Sequence, residues 1–279
     1  MALLPINLNA MARAAKDLAD RQLVRYLRQD MAAILQRLPG DSARVPYFVA
    51  VAGQYAEAAG YYQGRAYSVH LMISFLLGLR WPNDPACAGI STVLTDQGTD
   101  WDTRLDLALN LAISERRQLE NALPEMHAIT ARIVMIPPDQ LTLRDMWDGF
   151  HALARLRGLA SEDMTLRCFE AYEADFRQWY RLQPIQRKQL DGYARLGRQK
   201  MGLPLPTPIE DIVGLDQRLV VLLTQSVLLD LSFGRASSSH PLLSTLHQVL
   251  QESDSRLRAS HLHAFLQTHQ RLLNEKSHD

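Results

Sequence analysis

The chain has 279 residues, of which 47% are apolar and 22% charged, with a formal net charge of zero. This length and composition build one large or two small packed domains without disulfide or metal staples. The neutral balance gives no support to nucleic-acid binding, which draws on a basic surface. Cys87 and Cys168 lie far apart with no CxxC spacing, which excludes a disulfide framework and fits a reducing, cytoplasmic setting.

The opening MALLPINLNAMARAAKD has neither the basic n-region nor the long apolar h-region of a secretory signal. The most apolar runs, 71–79 and 219–231, fall short of the roughly 20 residues a membrane span requires.

In chain order, a first helix is expected over 9–38, where Leu18, Leu23, Leu27, Met31, Ile34 and Leu38 form one stripe. Pro39-Gly40 stops it. A second helix begins near Pro46 and ends around Gly60. The third, 67–79, is apolar on nearly every face and should be buried all round. WPNDP at 81–85 is a turn, since Asn and Asp bond back to their own backbone and each proline presets its φ. A short helix over 86–94 follows, and Thr99 is the expected N-cap of another reaching about Ala122.

Residues 123–141 are the least periodic stretch and read as a linker between an N-terminal bundle, 1–122, and a C-terminal bundle, 142–279. Thr142 with Asp145 starts the next helix, to about Arg157. Ser161 caps another to about Leu182, and a more polar helix is expected over 184–200. Thr207-Pro208-Ile209-Glu210 combines a capping box with proline at the first position, so a helix should run from there to Phe233. Helices over 241–253 and 260–276 complete the set. Strand signals are nearly absent, and the class is all-α, a multi-helix assembly of two packed bundles.

The two halves echo each other. Residues 71–94 can be laid on 227–250 without a gap, so that Gly78 falls on Gly234, Pro85 on Pro241, Val93 on Val249 and Leu94 on Leu250. Arg104-Leu105 and Arg256-Leu257 correspond after a further gap. A diverged duplication explains this; so does the common use of glycine and proline at helix ends.

The sequence holds no HExxH, zinc-spaced His/Cys cluster, GxSxG, P-loop or GxGxxG. No catalytic, cofactor-binding or metal-binding residue is therefore assigned, and no cofactor is expected. The strongest local charge bias is at 181–200, where Arg181, Arg187, Lys188, Arg195, Arg198 and Lys200 face only Asp191. A solvated helix accounts for it, and so does a surface that docks an acidic partner. Phe169, Tyr172 and Phe176 share a helix face and read as core. Trp179 and Tyr180 cannot both lie on that face, so one of them is a contact candidate. The partner-binding candidates are Trp179, Tyr180, Arg181, Arg187, Lys188, Arg195 and Arg198.

Over residues 56–105 the chain resembles helical proteins encoded beside type VI secretion spike genes. The matching features are Ala56, Ala59, Gly60-Tyr61, Leu71-Met72, Leu77-Gly78, Trp81, Asp84-Pro85, Asp102 and Arg104-Leu105. Tyr62 departs from the pattern, which usually has glycine there, and the second half only faintly repeats the block. The resemblance implies a non-catalytic adaptor or chaperone that holds a toxin effector for loading onto the spike protein VgrG or its PAAR tip. It transfers no catalytic residues. Two other readings stay open: an immunity protein that occludes a cognate toxin, and a helical enzyme with a noncontiguous site.

Overall fold

The computed structural model describes residues 8–38, 40, 42–159, 161–185, 193, 197, 200–201 and 207–274. The structure is 77% helical, with eleven α-helices and no strand among the described residues. The helices are α1 (Leu8–Gln29), α2 (Ala32–Arg37), α3 (Val45–Ala58), α4 (Gly64–Leu77), α5 (Ala88–Thr95), α6 (Trp101–Val134), α7 (Leu143–Leu156), α8 (Glu162–Trp179), α9 (Gln217–Phe233), α10 (Ser244–Leu250) and α11 (Ser255–Asn274). None of them is long and apolar enough to cross a membrane.

Local chemistry explains most of the boundaries. The Thr142–Asp145 capping box closes at both hydrogen bonds, and the Ser161 hydroxyl accepts from the Met164 amide at 3.1 Å. The expected 9–38 helix is broken at residues 30–31 into α1 and α2. α6 is capped by Asp100, not Thr99: its carboxylate accepts from the Thr103 amide at 3.0 Å. A carboxylate at that site also suits the positive helix end.

The 207–210 capping box forms but does not launch a helix. Glu210 accepts from the Thr207 amide and hydroxyl, yet the chain then turns through Gly214, at φ +75°, and α9 starts after Asp216. Asp216 accepts from the Leu219 amide at 2.8 Å and is the working cap. The expected helix over 184–200 falls almost wholly outside the described residues.

The largest departure is at the expected linker, because residues 123–134 are the last third of α6, which continues through Pro124. A proline inside a helix costs about 3 kcal/mol, by removing an N–H and crowding the preceding turn. Burial of Leu123, Met126 and Ile133 offsets it, since each large apolar side chain removed from water contributes about 1.5–3 kcal/mol before entropy. Only Met135 to Thr142 connects α6 to α7.

α6 is thus a spine that serves successive cores. Leu105, Ala108 and Ala112 join a first core with α1–α5. Leu119, Leu123, Met126 and Ile133 join a second with α7, α8 and α9. Val134 reaches a third with α9, α10 and α11. Leu242, from the C-terminal half, is buried in the first core. As its sequence led us to expect, α4 is buried on nearly every side: of Tyr67 to Leu77, only Ser68 and Met72 are partly exposed.

The sequence echo is also an echo of backbone. At one constant offset, α4 and α9 end at Gly78 (φ 104°, ψ 158°) and Gly234 (φ 93°, ψ 154°). Two 3₁₀ turns follow in each unit, Trp81–Asn83 and Pro85–Cys87 in the first, Ser237–Ser239 and Pro241–Leu243 in the second. Helices α5 and α10 then begin at equivalent positions. The later correspondence shifts: Asp100 and Asp254 both accept from the amide three residues on, which aligns Arg104 with Arg258 rather than Arg256.

The two reversals meet back to back. A Cβ on Gly234 would lie 2.3 Å from the Leu77 carbonyl oxygen and 3.4 Å from the Gly78 Cα. Each reversal is covered by a helix of the other half: α8 packs on the 85–87 turn and α3 on the 241–243 turn.

Candidate partner-binding surfaces

Ionisable groups gather at the seam between the two units, some of them buried. Asp84, 3% exposed, accepts from the Ala86 amide at 3.0 Å, the Tyr172 hydroxyl at 2.9 Å and the Arg235 amide at 3.4 Å, with the Arg157 guanidinium 4.0 Å away. Arg157 donates to the Leu231 carbonyl at 2.6 Å, at the negative end of α9. Arg116 does the same for α4, donating to the Leu76 carbonyl at 3.3 Å while pairing with Glu120 at 2.8 Å. Asp175 is held by Arg235 Nε and Nη2, at 2.7 and 2.9 Å, and by Arg80 at 3.3 Å.

Burial shifts several of these groups. Glu115 is raised to about 7 by loss of solvent, with Arg157 opposing and Asp84 reinforcing the shift. Asp230 is also raised to about 7 by burial, although it accepts from the Ser237 amide at 2.8 Å and hydroxyl at 2.6 Å. His70, His127 and His240 are each lowered to about 4 by burial, and His269 to about 2 by burial and the neighbouring His127. The His127 and His269 rings face each other at 3.4 Å between nitrogens, against Phe233. These are neutral, packed imidazoles. Among the described residues, no three His, Cys, Asp or Glu side chains gather where they could hold a metal ion.

The sequence-derived candidates divide at the end of α8. Phe169, Tyr172 and Phe176 are core, as their spacing implies. Tyr180 turns back onto Phe176, with ring centroids 4.6 Å apart, and is 38% exposed. Trp179 points away and is 64% exposed, so it is the better contact residue of the pair. Arg181 adopts φ 54°, and the Leu182 amide returns to the Arg177 carbonyl at 2.9 Å, the closing bond of a Schellman-type end. Arg187, Lys188, Arg195 and Arg198 lie outside the described residues.

A second surface was not anticipated from the sequence. α1 and α2 form one wall, and α10 and α11 the other, of a cleft of about 1060 Å³. Ala32, Leu35, Val249, Phe265 and Leu272 give it an apolar floor, and Arg28 and His261 are the titratable residues among its lining. Its sequence signal was present but subtle: Arg21, Arg25 and Arg28 sit at i, i+4 and i+7, and α11 contains no acidic residue.

No protein-family model, curated protein or solved structure matches this chain.

Proposed function

We propose that the protein is a non-catalytic binding protein, an adaptor or chaperone that holds a protein partner. Following the resemblance at residues 56–105, that partner is a type VI secretion effector to be loaded onto the VgrG/PAAR spike. The observation that carries the reading is Trp179, 64% exposed at the end of α8 and followed by Arg181. Tryptophan and arginine are the residues that dominate binding energy at protein interfaces. The ionisable groups at the seam lend further support. Asp84 and Asp175 are occupied by intramolecular donors, so they serve to join helices.

The test is affinity purification of the tagged chain from its native host, followed by mass spectrometry. A neighbouring toxin or spike protein should be recovered with wild type and reduced at least tenfold with Trp179→Ala. That variant should melt within about 0.5 kcal/mol of wild type, because the side chain is at the surface. Recovery of this chain alone, with partners expressed and at low salt, would sink the reading. Deletion should stop effector delivery without killing the cell; self-poisoning would instead identify an immunity protein.

A further inference from the structure

The chain as a whole is neutral, but the walls of the α1/α2–α10/α11 cleft are not. From Arg21 to the end of α1, and throughout α2, α10 and α11, there is no Asp or Glu. The acids nearest in the described sequence are Asp17 and Asp20 earlier in α1, Asp30 in the α1–α2 turn, and Glu252 and Asp254 before α11; none of them is part of the cleft lining, and Asp20 is held by Lys16 and Tyr67. Asp254 is spent as a cap, accepting from the Arg256 and Leu257 amides.

The cationic groups divide by partner. Arg37 is paired with Glu120 at 3.0 Å and Arg258 is buried against Gln225 at 2.8 Å. Arg21, Arg25, Arg28 and Arg271 are exposed, and their hydrogen bonds go to neutral acceptors: the Asp17 carbonyl, Gln29, the Ser42 and Ala43 carbonyls, and Thr268. The first three form one stripe along α1 that leads into the cleft at Arg28. An apolar trough with one sign of charge along its rim concentrates and orients ligands of the opposite sign.

We infer that this cleft seats an acidic, amphipathic helix of a partner protein, its apolar face on Leu35, Phe265 and Leu272 and its carboxylates toward Arg25, Arg28 and Arg271. A helix laid between two helices continues the packing by which the rest of the molecule is built, and its i, i+3, i+4 apolar stripe fits an apolar trough. Nucleic acid also follows cationic rims, but its bases need stacking platforms, and the floor here is aliphatic with one phenyl ring. The inference rests on the binding-protein reading above and adds the chemistry of the bound segment.

The test uses a fluorescent helical peptide of about 18 residues, long enough to be measurably helical alone, with leucines at helical spacing and glutamates elsewhere. Full-length protein should bind it, measured by anisotropy, and bind neither a lysine-for-glutamate version nor an oligothymidylate. The double variant Arg25→Glu/Arg28→Glu should weaken binding by at least tenfold. Ala264→Phe, at an exposed position lining the cleft, should do the same by filling it. If the charge variant melts early, the Ala264→Phe result decides. No binding by wild type, unchanged binding by the variants, or equal binding of the lysine peptide or the oligonucleotide would overturn the inference. The native-host purification separates the two levels. A partner recovered while the peptide fails overturns the cleft assignment alone. A peptide bound while no partner is recovered overturns the proposed function alone.

Discussion

In the turn after α4 a carboxylate, Asp84, holds the backbone; in the turn after α9 an imidazole, His240, holds the same position. Asp84 accepts from the Ala86 amide and His240 from the Leu242 amide, so the backbone task is identical. Everything around them differs. Asp84 gathers Tyr172, Arg235 and Arg157 into a charged knot, whereas His240 packs against Phe48 with ring centroids 5.4 Å apart. Similarly, Asp230 in α9 binds Ser237, where the first unit has Ser74 turned to its own helix and Trp81 buried. One backbone scaffold therefore tolerates an ionic or an aromatic filling, provided that the cap and the glycine are kept.

The sharpest way to break that equivalence is at the caps. Asp84→Ala leaves Tyr172 without its acceptor and the buried Arg157 without its counter-charge, a loss expected at roughly 3–5 kcal/mol. His240→Ala removes a neutral cap and a ring contact, roughly 1–3 kcal/mol. Urea denaturation of both variants should show that order; equal losses would mean that the ionic knot contributes nothing beyond the cap.

The glycines come next. Both occupy positive φ, where an added side chain costs about 1–3 kcal/mol in strain. Gly234→Ala also drives a Cβ to 2.3 Å from the Leu77 carbonyl, while at Gly78 the nearest atom would be 3.5 Å away. Gly234→Ala should be the more damaging by about 1–3 kcal/mol, the usual cost of overpacking. Equal midpoint shifts for the two would show that the contact between the units yields freely.

Acid should separate the buried imidazoles from the buried carboxyls. The folded pKa values of His70, His127 and His240, about 4, and of His269, about 2, lie below the usual 6.5. The stability they contribute is present above pH 6.5 and lost as pH falls toward 4. Glu115 and Asp230, raised to about 7, act oppositely: their contribution is present below their ordinary pKa and lost as pH rises through 7. Four imidazoles outweigh two carboxyls, so the melting temperature should fall between pH 7 and pH 5. A melting temperature that rises over that interval would show the two carboxyls to be dominant.

The smallest effect is expected at Pro124, where α6 passes from one core to the next. Pro124→Ala restores an N–H and should stabilise the chain by about 1 kcal/mol, below the full helix penalty because the surroundings have adapted. Destabilisation instead would mean that the proline shapes the packing of Leu123 and Met126.

Residues acting on their nearest neighbours were legible in the sequence. The helix starts at Thr142 and Ser161, the nearly all-round burial of α4, and the paired reversals at Gly78 and Gly234 rest on interactions within a few positions of the chain. Which of Trp179 and Tyr180 leaves the Phe169–Tyr172–Phe176 face stayed open until the structure showed Tyr180 folded onto Phe176 and Trp179 exposed. What could not be read was any balance between a local penalty and a distant gain. Pro124 argues against a helix until Leu123, Met126 and Ile133 are seen buried against α7, α8 and α9. The Thr207–Glu210 box argues for a helix that Gly214 then diverts.

The candidate surfaces divide along the same line. The amino-acid sequence by itself determined an all-helical chain, its repeated turn chemistry and a cationic, aromatic end to α8, because each depends on periodicity or on hydrogen bonds across a few residues. Only the tertiary structure decided that α6 spans three cores, that the two turns touch through their glycines, and that α1 and α11 face each other across an apolar cleft. Those features join residues far apart in the chain, and their energies come from apolar area and charge that local spacing does not encode.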